Sequence, residues 1–136
     1  MSATATTAPA RRRPSLGLVL AHRAVVIAIP LLVLVQAALA GQHLFEGSDV
    51  ITLHGILGNV TFALTVIGVP LALVVRRGDG LAFGLAVALV ALTFAQVGLG
   101  YVGRETLSAA AWHIPLGVTI FGLAAFQLSM LRSPAR

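Results

Sequence analysis

The sequence of 136 residues contains no cysteine and no lysine, and only four acidic residues accompany its nine arginines. Without cysteine, the chain cannot form disulfides, thiolate zinc sites or iron–sulfur clusters, and it cannot attach haem covalently as c-type cytochromes do. A metal or cofactor would therefore depend on other side chains, of which the four histidines are the natural candidates.

Charged residues are scarce as well. They make up 10% of the chain, whereas soluble domains carry about 25%. Hydrophobic residues account for 58%, and the mean hydropathy is +0.99. A soluble fold of this length could not bury so much apolar surface, so the composition predicts an integral membrane protein. The isoelectric point near 11.7 could indicate nucleic-acid binding, but the arginines flank apolar segments, which favours a role in membrane topology.

Four apolar segments are long enough to cross a bilayer. They cover about residues 16–40, 50–75, 81–101 and 107–131, and a tail of residues 1–15 is predicted to be disordered and cytoplasmic. Arg11–Arg13 could open a signal peptide, but the apolar segment that follows is longer than a signal core and has no convincing cleavage site. We therefore predict an all-α, up-down bundle of four transmembrane helices formed by residues 16–136.

The arginines indicate how the bundle is oriented. Eight of the nine fall on one side of the predicted membrane, and Arg104 alone falls on the other. Arginine-rich loops stay in the cytoplasm. This pattern predicts a protein of the bacterial cytoplasmic membrane with both termini and the turn at residues 76–80 inside.

The second and fourth segments share the pattern H-x-x-L-G-x-x-x-F-x-L, beginning at His54 and His113. Gln36 precedes His54 by 18 residues, and Gln96 precedes His113 by 17. The chain therefore reads as two copies of one helical hairpin, related by a pseudo-twofold axis along the membrane normal. Chance similarity is the alternative, because Leu, Gly and Phe are common in membrane helices.

The two repeated histidines are predicted to lie at similar depth on diagonal helices and to face each other across the bundle. Two histidines arranged in this way could act as the two axial ligands of a haem. Gly58 and Gly117, each one turn deeper than its histidine, would leave room for the porphyrin edge. A zinc or copper site is less favoured, because two histidines supply too few ligands. The simpler alternative is that each histidine hydrogen-bonds a neighbouring helix.

Other polar residues near this depth are weaker candidates. Gln36 and Gln96 could hydrogen-bond a cofactor edge or the far nitrogen of a ligand histidine, or could simply join helices. His43 and Arg104 could meet haem propionates, or could be solvated loop residues. Tyr101 fits an interfacial aromatic belt.

This layout resembles one four-helix half of the haem A synthase family, with histidines on the second and fourth helices about 60 residues apart. The resemblance, which covers most of the chain after residue 15, implies that His54 and His113 ligate a b-type haem near the outer face. The chain is also similar to short four-helix membrane proteins of actinobacteria. It departs from the family at Ile51, where the resemblance would place a catalytic glutamate, and it lacks the family's outer-loop cysteines.

The leading hypothesis is thus a small membrane cytochrome b that transfers electrons or handles haem and acts with a quinone or another redox partner. A homodimer could rebuild an eight-helix assembly. Catalysis is less expected. If the protein is an enzyme, its activity would be that of an oxidoreductase related to haem A synthase. The alternative is a cofactor-free structural or assembly subunit of a larger membrane complex. A small transporter is a third, weaker hypothesis.

Overall fold

The computed structural model describes residues 13–132, which are almost entirely helical. The four α-helices are α1 (Leu16–Glu46), α2 (Ile51–Val75), α3 (Gly80–Val102) and α4 (Leu107–Ser129). A short 3-10 turn, Met130–Arg132, extends α4. There is no strand in residues 13–132, so the all-α class is confirmed for this part of the chain.

Most helix bounds agree with the sequence prediction to within two residues, but α1 is longer than predicted. It continues through Gly41 to Glu46 instead of ending near residue 40. An internal glycine costs a helix only about 1 kcal/mol, so Gly41 does not end it. Gly47 does, with a left-handed φ of 66° that favours glycine. His43 consequently lies in the last turn of α1 and not in a loop.

At its other end α1 begins where Ser15 accepts a hydrogen bond from the main-chain nitrogen of Leu18, at 3.4 Å. The predicted disordered tail, residues 1–15, falls mostly outside the described residues.

The helices pack as an up-down bundle. α1 packs against α2 and α4, and α3 packs against the same two, so that α2 and α4 lie on one diagonal. The connections are residues 47–50, 76–79 and 103–106. We call the end formed by the first and third connections the histidine end, and the end formed by residues 76–79 the turn end. At the turn end, Asp79 caps α3 and forms an ion pair with Arg76 at 2.7 Å.

The hydrophobic core occupies the half of the bundle towards the turn end. Val25, Ile29, Leu89, Ile120 and Ala124 form one buried cluster there, surrounded by partly buried leucines and valine. In contrast, Ala109 is the only buried residue among residues 31–60 and 94–119, which make up the half towards the histidine end. Hydrophobic packing therefore holds one half of the bundle together, and the other half is more open.

Each of the four helices is long and apolar enough to cross a membrane. Their surfaces carry many exposed large hydrophobic side chains, including Leu34, Ile67, Phe94 and Val118. Such surfaces suit contact with lipid tails, and a bundle of this kind needs little further covering in a bilayer.

The buried positions repeat between the two hairpins. Buried residues of α1 recur 60 residues later in α3, as the pairs His22/Ala82, Val25/Leu85, Val26/Ala86 and Ile29/Leu89. Those of α2 recur 59 residues later in α4, as the pairs Thr61/Ile120, Thr65/Ala124 and Gly68/Gln127. The same offsets relate Gln36 to Gln96 and His54 to His113. This pattern supports the predicted repeat, while its pseudo-twofold axis stays a prediction.

Replacing Ile120 by alanine should destabilise the bundle, because its side chain is 1% exposed within the core cluster and the change leaves a cavity. We expect a loss of about 2 kcal/mol in the free energy of unfolding, measured by reversible unfolding in bicelles. Val118, which is 68% exposed on the same helix, is the matched control, and Val118→Ala should have little effect. Equal losses in the two variants would contradict the described core.

Candidate functional site

His54 and His113 are neighbours across the bundle at the histidine end. His54 lies in the first turn of α2 and His113 in the second turn of α4. Their ring centroids are 6.0 Å apart and their planes are inclined by 56°. Both residues are half-buried. The diagonal helices thus bring the two imidazoles together, as the repeat predicts.

Each ring is held by a hydrogen bond to the main chain of the preceding helix. Nδ1 of His54 lies 2.9 Å from the carbonyl oxygen of Gln36, and Nδ1 of His113 lies 3.0 Å from that of Gln96. A carbonyl oxygen only accepts, so Nδ1 must carry the proton and donate it. In a neutral ring, Nε2 then keeps a free lone pair. This arrangement is the usual one for a histidine that ligates a metal.

One of the alternatives for the glutamines was a side-chain hydrogen bond to the far histidine nitrogen, but their main-chain oxygens make this bond. The side chains pack beside the glycines. A Cβ at Gly58 would lie 3.2 Å from Oε1 of Gln36, and one at Gly117 would lie 3.1 Å from Nε2 of Gln96. The two glycines, expected to make room for a porphyrin edge, therefore make room for the glutamine carboxamides.

The two glutamines differ in their hydrogen bonds. Nε2 of Gln36 donates to Oγ1 of Thr61 at 2.9 Å and to the Leu32 oxygen at 3.2 Å. The residue in the place of Thr61 in the second hairpin is Ile120, which has no hydroxyl. Oε1 of Gln96 is buried and has no hydrogen-bond partner among the described residues. A buried acceptor without a donor is costly, so this atom marks a place where a bound group could supply a donor.

Gly100 also shapes the site. A Cβ there would lie 3.0 Å from Cε1 of His113. That is closer than side chains normally approach, so a side chain at residue 100 would push the ring aside. A Cβ at Gly98, two residues earlier in α3, would meet nothing within 4 Å. Gly100 is therefore the α3 glycine that positions a histidine.

Arg104 and His43 both lie at the histidine end, but they contact different residues. The guanidinium of Arg104 stacks over the ring of Tyr101, 5.2 Å from its centroid. It also reaches α2, where a Cβ at Gly55 would be 3.3 Å from one of its nitrogens. Nδ1 of His43 lies 3.0 Å from the main-chain oxygen of Ser48, so this histidine closes the end of its own helix.

Arg104 thus comes close to the residue that follows His54, whereas His43 is bound to the α1–α2 connection. The role of each beside a haem propionate stays a prediction. Sequence reasoning missed the partnership of Tyr101 with Asn59, whose Nδ2 donates to the tyrosine hydroxyl at 3.0 Å. Because the two residues lie on different helices, no periodic pattern in the sequence links them.

The described residues supply too few ligands for a bare metal ion. No group of three or more His, Cys, Asp or Glu side chains that could hold a metal occurs in residues 13–132. A haem needs only two protein ligands, because the macrocycle supplies the others. A ligating imidazole nitrogen lies about 2 Å from its metal, which places two ring centres that share one metal on the order of 6 Å apart. The observed 6.0 Å agrees with that spacing.

Comparison with known proteins identifies no relative of this chain. No protein-family model matches the chain, and no curated protein or solved structure is significantly similar to it. The layout shared with the haem A synthase family therefore stays a resemblance, and the site has to be judged by its geometry.

The hydrogen bonds of the histidines predict which nitrogen carries the proton. At a pH where the imidazoles are neutral, we expect His54 and His113 to be protonated at Nδ1, giving nitrogen chemical shifts of that tautomer in the ¹⁵N NMR spectrum of the histidine-labelled protein. His54→Gln and His113→Gln would assign the signals. Protonation at Nε2 in either residue would contradict the described bonds.

Proposed function

We propose that the chain is an integral membrane protein that holds one haem b between His54 and His113 and transfers single electrons or handles haem. The observation that carries this proposal is the pair of Nδ1–H···O=C bonds. They hold both rings in the tautomer that leaves Nε2 available, with the ring centres 6.0 Å apart.

Electron transfer is the role that best suits these ligands. A bound haem would supply a one-electron couple, and with both histidines as its ligands the iron would have no position left for oxygen or substrate. Main-chain acceptors hold the two rings, and Gly100 leaves space for the second. Fixed ligands of this kind need little rearrangement when an electron arrives or leaves.

Haem hydroxylation is not part of the proposal. Ile51 stands where the haem A synthase resemblance would need a glutamate, and the nearest acids, Glu46 and Asp49, are exposed at the end of α1 and in the following connection. The chain thus offers the ligands of the family's layout without its catalytic carboxylate.

We further propose that the histidine end faces away from the cytoplasm. Arg76 and Arg77 lie at the turn end with Arg23 and Arg132, and Arg104 lies at the histidine end with Glu46, Asp49 and Glu105. Arginines accumulate on the cytoplasmic side of membrane proteins. The haem would then lie in the outer leaflet of a bacterial cytoplasmic membrane.

The visible spectrum of the protein, purified and loaded with haem, tests the cofactor. We expect a sharp Soret band and reduced α and β bands, both lost in His54→Ala and in His113→Ala because each removes an axial ligand. Thr119→Ala is the control, since this exposed side chain of α4 bonds only the main-chain oxygen of Pro115, and it should keep the spectrum. Gly100→Ala should weaken haem binding, because the added methyl displaces the His113 ring.

Two results would contradict the haem proposal. One is a protein that stays colourless after haem loading, which would favour the structural or assembly subunit. The other is a spectrum that survives loss of both His54 and His113, which would place the haem elsewhere.

The orientation can be tested with single cysteines, because the natural chain has none to remove. Glu105→Cys and Gly80→Cys introduce thiols at exposed positions of the two ends. We expect a membrane-impermeant maleimide to label residue 105 in intact cells and residue 80 only after permeabilisation. The reverse pattern would overturn the proposed topology.

A further inference from the structure

A separate groove opens between α2 and α3 at the histidine end. It has a volume of about 220 Å³ and is lined by Thr52, Gly55, Ile56, Asn59, Tyr101 and Arg104. Ligand pockets for drug-sized molecules measure about 300–1,000 Å³, so this groove suits a single ring. It lies on the outside of the bundle, since Ile56 is 54% and Tyr101 51% exposed.

The groove offers hydrogen-bond donors at one place. The Asn59 amide donates to the Tyr101 hydroxyl at 3.0 Å, which leaves the hydroxyl proton and the second amide hydrogen free to donate. No other hydrogen bond of either side chain is found in the described part of the chain. The phenol ring beside them carries the Arg104 guanidinium over one face, 5.2 Å from the ring centroid.

The depth of Asn59 in the proposed membrane indicates which kind of ligand the groove would bind. Asn59 lies eight residues into α2, roughly 12 Å along the helix from its first residue. In a bilayer this depth belongs to the hydrocarbon core, below the phosphates of the head groups. An exposed asparagine is costly there and is a functional candidate. At the proposed depth, a ligand of Asn59 would be dissolved among the lipid tails and would present acceptor oxygens.

We propose that this groove binds the head group of a membrane quinone. A quinone is a neutral planar ring with two carbonyl acceptors and a lipid-soluble tail. One carbonyl would accept from Tyr101 and Asn59, and the tail would leave the groove past Ile56. Gly55 lines the groove and follows His54 in the chain, so the quinone would contact the backbone of α2 next to the residue proposed as a haem ligand. The site rests on the membrane placement proposed above but does not need haem.

Photolabelling of the full chain tests the site. The haem-free protein in nanodiscs of neutral lipid is irradiated with a short-chain azidoquinone, and the labelled peptides are identified by mass spectrometry. We expect label within residues 52–59 or 101–104, suppressed by excess unlabelled quinone. Asn59→Leu combined with Tyr101→Phe should reduce labelling on the order of tenfold, because both donors are lost. Both residues are exposed, so folding should persist.

Thr119→Val is the matched control, because Thr119 is exposed on α4 and bonds only the oxygen of its own helix at Pro115; its labelling should match wild type. Label spread over all four helices, or unchanged in the double variant, would overturn the proposal. Competition by phosphatidylglycerol but not by quinone, with loss of label only in Arg104→Gln, would assign the groove to lipid phosphate instead. Since no haem is added, failure here is distinct from failure of the cytochrome proposal.

Discussion

The hydrogen bond from each repeated histidine to the main chain of the preceding helix is the constraint on which the site depends. It joins the two helices of a hairpin, and it also decides which ring nitrogen carries the proton. Because the acceptor is a backbone oxygen, the bond does not require glutamine at residues 36 and 96. The identity of these residues matters instead for the side chains that fill the space beside Gly58 and Gly117.

The two halves of the bundle differ in their packing and in the residues that they contain. The half towards the turn end contains the buried cluster around Leu89 and Ile120, and it provides the close packing that holds the four helices together. The half towards the histidine end contains glycine, glutamine and imidazole in place of large hydrophobic side chains. Stability is thus concentrated away from the site, which leaves the histidine end free to take up polar groups.

Much of this architecture could be predicted from the sequence, because apolar segments of about 20 residues and short polar connections leave few arrangements open. The repeat placed His54 and His113 together, since equal spacing on equivalent helices brings them to one depth. The end of α1 could not be predicted, because Gly41 is tolerated in a helix whereas Gly47 takes a left-handed φ. Nor could the Thr61–Gln36 and Asn59–Tyr101 pairs, which depend on how neighbouring helices are rotated.

The connections 47–50 and 103–106 are only four residues long. So short a segment can reach from one helix to its neighbour but cannot fold back over the top of the bundle. The described chain therefore has no lid above the two imidazoles. A molecule approaching the imidazoles from this end would therefore meet no connecting loop that has to open first.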